Sequence, residues 1–265
     1  MMEAVIRGVG ILAPGMPDWE RARPVLRGDC PCPDESLGRV TAAGLPRAEA
    51  RRATRTTHLG LVVADQALGG EVPDEAMPSV WASADSDLQG LEKDVATLAE
   101  EPPWISPQRF QNSVHNTPSG YWSIVSGCRG PATALSSGEE TFAAGLVEAL
   151  VTLQERHAHC LLVVCDELSP PSLTEARPVP ASFAAALLLA HKDQAGTPIR
   201  AGWQPCRDAA VSGCRGERLE SMRRSNPAAR SLPLLGAIAS EGDRELRLSW
   251  CEGELALRCG ATKGG

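Results

Sequence analysis

The side chains best equipped for chemistry in this 265-residue sequence lie between residues 113 and 167. His115, in Ser113-Val-His-Asn116, is a residue type that serves as a general base near neutral pH. Ser136, Ser137 and Glu139 follow along the chain. A serine nucleophile, a histidine base and a carboxylate to orient it would make a hydrolase. No Gly-x-Ser-x-Gly elbow supports that set. The plainer reading of His115 is a hydrogen-bonded or interface residue beside Asn116. Ser137-Gly-Glu-Glu140 also reads as a capping box, with Ser137 at the N-cap of a helix. Glu139 would then sit in the first turn, where the helix dipole favours a carboxylate by about 0.3–1 kcal/mol. Asp166-Glu167 closes an apolar run and offers an acid/base or metal-binding pair. A solvated pair at a strand end is the plainer expectation.

The remaining reactive residues exclude more than they assign. The nine cysteines are an odd number without a repeating frame. Cys30-Pro-Cys32 is the closest pair, no two pairs have zinc spacing, and His157-Ala-His159 lies far from them. The sequence therefore implies no metal and no cofactor. Gly8-Val-Gly10 lacks the third glycine and the following helix of a nucleotide fingerprint. A net charge of −7 gives a nucleic-acid role no electrostatic footprint. Arg47, Arg51, Arg52 and Arg55 form the densest basic cluster and read as a solvated helix face. No run approaches the ~20 apolar residues of a membrane span. The start, Met-Met-Glu-Ala-Val-Ile-Arg-Gly, lacks a signal-peptide plan. Free thiols inside apolar runs, at Cys160 and Cys165, fit a reducing cytoplasm.

The elements that must position these residues alternate between strand and helix. Val5 to Leu12 reads as a strand ending at a Pro-Gly turn, and residues 28–46 read as loop. Arg47 to Leu68 has helical spacing, Ser79 to Ser83 is a short strand, and Asp87 to Glu100 is a helix stopped by Pro102-Pro103. Glu139 to Glu155 is a helix with apolar residues on nearly all sides, so it is expected to be buried. His159 to Leu168 and Ser182 to Ala190 read as buried strands. Ala209 to Arg230 reads as polar helix or loop. Glu245 to Trp250 and Glu254 to Cys259 alternate around Glu252-Gly253, which predicts a hairpin. This order predicts an α/β layered fold.

The run from Phe110 to Phe142 carries a more specific message. Asn116, Gly120, Ser123, Ile124, Gly127, Gly130 and Pro131 keep a frame that resembles the segment leading to the active cysteine of β-ketoacyl synthases. Arg51-Arg-Ala-Thr-Arg55 and the strand Ser182 to Ala190 resemble further family segments. Counted from Gly130-Pro131, the nucleophile position falls on Glu139. A carboxylate is a poor nucleophile toward thioesters, so the resemblance implies a pocket without its nucleophile. The two family histidines, with their Gly-rich contexts, have no counterpart either.

The resemblance spans about residues 1–205 and implies a thiolase-like fold: one N-terminal ketosynthase half over 1–265, with 206–265 as a C-terminal extension. It implies a non-catalytic partner of the chain-length-factor type. Such a subunit pairs with a full-length β-ketoacyl synthase, as a heterodimer or dimer of heterodimers, and meets acyl carrier protein through that complex. The wording resembles the half-length forms of aryl-polyene, polyketide and fatty-acid-type clusters. The implied interface comprises Asn116, Gly120, Tyr121, Trp122, Ser123 and Ile124, then the strand Pro131, Ala132, Thr133, Ala134 and Leu135, and Phe142. Half a layered fold would also leave one side of its central apolar helix open, part of which the C-terminal hairpin could cover. Readings from other classes are a stand-alone thioester hydrolase or malonyl-thioester decarboxylase using His115 and Glu139, or a carrier-protein binding module.

Overall fold

A computed structural model describes residues 1–154, 157–205 and 210–260. In chain order the elements are β1 (Met2–Leu12), α1 (Trp19–Arg27), α2 (Arg47–Arg52), α3 (Arg55–Leu68), β2 (Ser79–Ala82), α4 (Leu88–Leu98), α5 (Pro107–Asn112), α6 (Thr117–Ser126) and β3 (Ala132–Leu135). They continue with α7 (Thr141–Gln154), β4 (His159–Asp166), β5 (Phe183–Ala190), β6 (Thr197–Pro205), α8 (Glu217–Ser225), α9 (Leu232–Ala239), β7 (Arg244–Trp250) and β8 (Gly253–Cys259).

The strands form one mixed sheet in the order β3-β2-β4-β5-β1-β6-β8-β7. β3, β2 and β4 run parallel, and the remaining neighbours are antiparallel. Alternate side chains of β4 feed two cores. Cys160, Leu162 and Val164 meet Phe142, Leu146 and Leu150 of α7. Leu161, Val163 and Cys165 meet the side of α3 and α6. Burial on both faces is why β4 and β5 read as unbroken apolar runs. The Gly8 and Gly10 pair lets α3 lie flush on β1. A Cβ at Gly8 would stand 1.8 Å from the Ala67 carbonyl oxygen, and one at Gly10 2.0 Å from that of Val63.

Several expectations change in the structure. The helix expected over Arg47 to Leu68 is two helices. Ala53 and Thr54 are extended, and Thr54 caps α3 by accepting from the Thr57 amide at 3.1 Å. The hairpin forms, but its turn is Cys251-Glu252, both at positive φ (51° and 55°), with Gly253 starting β8. The stretch expected as polar helix or loop contains α8 and a 3-10 turn, Ala228–Ser231; Ala209 lies outside the described residues, as does Glu155 at the end of the expected central helix. α9 and β6 had no counterpart in the expectation.

The open side expected on the central helix is largely closed. The 228–231 turn and β7 pack against α7. Of its apolar residues, Phe142, Leu146, Ala149, Leu150 and Leu153 are buried, Ala144 and Val147 are half-buried, and Val151 is 45% exposed. The hairpin is held there by Glu140, which accepts from Ser249 Oγ at 2.9 Å and from the Cys251 amide at 3.0 Å.

Candidate functional site

The three parallel strands end on one edge of the sheet, where open α/β sheets place their ligands. Ser83–Asp87 follows β2, Ser136–Glu140 follows β3, and β4 ends in Asp166 before Glu167. The fold thus brings Glu139, from the end of β3, and Asp166 and Glu167, from the end of β4, to a common corner.

Glu139 lies in a 3-10 turn, Gly138–Glu140, just before α7. Gly138 has φ +52°, which favours glycine there. The capping box does not form. Ser137 makes no side-chain cap; instead its amide donates to Thr141 Oγ1 at 3.0 Å, and Thr141 Oγ1 donates to Gly138 O at 2.7 Å. Thr141 takes over because the 3-10 turn shifts the start of the helix past Ser137. Glu139 is bound by two arginines. Arg177 Nη1 donates to Oε1 at 2.6 Å, and Arg230 Nη2 donates to Oε2 at 2.5 Å. Arg177 Nε also donates to Asp85 Oδ2 at 2.5 Å. Partial burial raises the Glu139 pKa, but the Arg177 and Arg230 hydrogen bonds and charges outweigh it and hold the carboxyl below its ordinary range. The chain Asp85–Arg177–Glu139–Arg230 leaves both oxygens of the Glu139 carboxylate engaged.

Asp166 and Glu167 are 1% and 2% exposed, so they are not a solvated pair. Asp166 Oδ1 accepts from Ser83 Oγ at 3.0 Å and the Ala84 amide at 2.7 Å; Oδ2 accepts from the Ala228 amide at 2.9 Å. It ties the β2 loop and the 228–231 turn to β4. Burial is the dominant influence and pushes its pKa up to about 7 against those three donors. Glu167 Oε1 accepts from the Gln89 amide at 3.2 Å, while Oε2 is buried without a partner. Burial first, then the neighbouring Asp87, pushes its pKa up. Among the described residues no group of three or more His, Cys, Asp and Glu is placed to hold a metal.

The structure does not assemble the Ser/His/Glu set. His115 is exposed between α5 and α6, and its side chain has no hydrogen bond to Ser137 or Glu139 among the described residues. The expected interface residues divide. Asn116, Gly120, Ser123, Pro131 and Ala132 are exposed, Ile124 is 60% exposed, and Thr133, Ala134 and Leu135 are half-buried on the free edge of the sheet. Tyr121, Trp122 and Phe142 are instead buried in the chain's own cores, so their side chains are not open to a partner. Trp122 packs against Trp81 with ring centroids 6.1 Å apart. Sequence reasoning missed Arg177 and Arg230. No local motif marks them, since they stand 38 and 91 residues from Glu139.

The profile of the family described as beta-ketoacyl synthase, N-terminal domain, matches residues 27–254. The chain belongs to this family. Among curated proteins, none matches the sequence significantly. Solved structures share the fold. A chain of the complex of the ketosynthase ApeO with its chain length factor ApeC, from Xenorhabdus doucetiae, superposes with a TM-score of 0.73 at 22% identity; the match covers 97% of this chain and 100% of that one. A chain of the ishigamide ketosynthase/chain length factor gives 0.72 at 14% identity, covering 98% and 99%. A chain of AntDE:AntF, a type II polyketide synthase carrier protein in complex with its ketosynthase, gives 0.70 at 15% identity, covering 98% and 99%. No helix among the described residues is long and apolar enough to cross a membrane.

Proposed function

We propose that the chain is a non-catalytic, chain-length-factor-like subunit that pairs with a full-length β-ketoacyl synthase in the cytoplasm. It would shape the tunnel into which that enzyme's acyl chain grows, in polyene, polyketide or fatty-acid-type elongation such as aryl-polyene synthesis. The observation that carries the reading is the state of Glu139. By the count from Gly130-Pro131 it falls at the family's cysteine position, and both its oxygens are bound by arginine. A thioester carbonyl would meet an engaged anion instead of a thiolate.

Two further observations support a partner. The matched chains of the ketosynthase/chain length factor structures are spanned end to end by this one. One edge of the sheet, β3, pairs among the described residues only with β2 and leaves its outer backbone groups open. Ile124 lies exposed on the preceding helix α6. The partner ketosynthase would cover this edge, as a heterodimer or dimer of heterodimers, and acyl carrier protein would act through the complex. A stable assembly should bury more than ~1,000 Å².

Co-expression with a full-length β-ketoacyl synthase from the same source, followed by sizing and product analysis, tests the proposal. The expected result is co-elution and a product length that shifts when this subunit is exchanged. A chain that stays monomeric beside that enzyme, with unchanged product length, overturns it. So does covalent acylation of any residue of this chain by an acyl thioester.

A further inference from the structure

A cleft of about 950 Å³ opens beside the strand-end corner, between the start of α3, the first turns of α4, helix α5 and residues 168–174. That size suits a small-molecule ligand. Arg52, Arg55, Lys93 and Arg109 line it against a single carboxylate, Asp87. This concentration of cations occurs in a chain of net charge −7. They come from separate elements, so the cluster is not the solvated face of one helix that Arg47 to Arg55 alone would make.

The four cations are not equally committed. Arg52 pairs with Glu49 at 3.3 Å, and Arg109 with Asp94 at 2.6 Å. Arg55 donates only to neutral acceptors: Ser182 Oγ at 3.4 Å, and the Leu37 and Gly38 carbonyls at 3.2 and 3.3 Å. Lys93 has no hydrogen-bond or ion-pair partner among the described residues. Neither makes an ion pair among the described residues, although the charge of Arg55 reaches the buried Glu167. The 14-residue helix α3 also starts in this wall, with Thr54 as its cap, and its dipole adds positive potential. Arg109 is fixed on both sides, by Asp94 and by the Trp104 ring, 5.2 Å from its guanidinium carbon to the ring centroid. A held guanidinium fork is pre-organised for oxyanions.

We propose that this cleft binds a phosphate-bearing small molecule, with Lys93 and Arg55 as its charge partners and Arg109 and Arg52 at the sides. A carboxylate offers acceptors in one plane. Phosphate presents oxygens in several directions and carries more charge, which suits donors arriving from four helices. The site does not depend on assembly with a ketosynthase, so it stands or falls separately from the subunit reading.

Calorimetric titration of the full chain with inorganic pyrophosphate at low ionic strength tests it. Saturable one-to-one binding is expected, weakened by added salt. Lys93→Glu should weaken it about tenfold or more, the size of one close charge reversal. Lys93 is exposed and unpaired, so circular dichroism and the melting curve should stay unchanged. Arg21→Glu, an exposed reversal on α1 outside the cleft, should leave binding within about twofold. Absence of saturable binding overturns the proposal. So does a Lys93→Glu chain that binds as tightly as the original, or an Arg21→Glu chain that loses as much as Lys93→Glu. Arg109→Gln is the second variant; loss of affinity there with the fold retained supports the cleft, and no change removes Arg109 from it.

Discussion

Two carboxylate sites share the same sheet edge and are built in opposite ways. Glu139 is about half exposed and lies between two guanidiniums, which keep it ionised. Asp166 and Glu167 are buried and tied mainly by neutral donors, which leaves burial in control and favours their protonated forms. The difference shows that position at a strand end does not set what a carboxylate does. At the first site charge pairing joins four loops at the surface. At the second, hydrogen bonds hold the loops from beneath, at a desolvation cost. The second should therefore matter more to folding and the first more to local order.

Asp166→Ala is the strongest way to break the comparison. It leaves Ser83 Oγ and the Ala84 and Ala228 amides without their acceptor. Each orphaned buried donor costs about 1–3 kcal/mol, so a loss of about 3 kcal/mol or more is expected in urea unfolding. A loss below about 1 kcal/mol would mean that water replaces the carboxylate and that the corner is looser than the structure shows.

The two sites should also respond to pH with opposite sign. For Asp166 the folded pKa, about 7, lies above the ordinary 3.8. The folded state then holds the proton more tightly across that window, so stability is fully present below about pH 4 and declines as pH rises toward 7. Glu167 acts in the same direction. Glu139 has a lowered pKa, so its contribution is present above its ordinary pKa of 4.5 and is lost on further acidification. Asp166→Asn should flatten the decline between pH 4 and 7 without touching the acid limb. Urea midpoints measured across this range check it, and an unchanged slope would place Asp166 in contact with solvent.

Much of this corner was legible in the sequence, and the reasons for the rest are physical. The frame from Asn116 to Pro131 points to Glu139, because its glycines and prolines serve backbone geometry that local sequence records. The apolar runs at β4 and β5 declared themselves because both faces are buried. Arg177 and Arg230 could not be read, because an ion pair across loops leaves no periodicity. The capping box failed for a related reason. Ser137-Gly-Glu-Glu140 satisfies the pattern, yet Gly138 at positive φ and the Thr141 hydroxyl open a 3-10 turn instead. α9 was hidden because Leu232-Pro-Leu-Leu-Gly-Ala-Ile-Ala239 is short and apolar throughout, and every residue but Gly236 is buried.

Glu139→Gln sharpens the comparison from the other side. It keeps an acceptor for one arginine and removes the charge. Half-exposed ion pairs contribute about 0–1 kcal/mol, so the melting curve should move little. Partner activity should stay close to that of the original. A collapse of partner activity with the fold intact would make Glu139 a functional carboxylate. Glu139→Cys should give no condensing activity alone, since the family's histidines remain absent; product formation from acyl and malonyl thioesters would contradict that.

The smallest effect on the isolated chain is expected at the free edge, where residue choice matters. Thr133→Pro, in the middle of β3, looks like the natural way to spoil a pairing strand. The register argues otherwise. Pro131 O accepts from the Ser79 amide at 2.9 Å, and Leu135 O from the Ser83 amide at 3.2 Å. Backbone groups alternate sides along a strand. Residues 131, 133 and 135 therefore face β2, and the amides of Ala132 and Ala134 face outward. Proline at 133 would damage the sheet itself, whereas proline at 134 removes only an outward donor, the position an edge strand tolerates. Ala134→Pro should change stability by less than about 1 kcal/mol. It should weaken co-elution with the ketosynthase clearly more than it weakens the fold. Thr133→Pro should do the reverse, lowering the melting temperature of the chain alone. If Ala134→Pro assembles as well as the original, β3 is not the pairing edge. If both variants lose partner and fold together, the register deduced from Ser79 and Ser83 does not describe this strand.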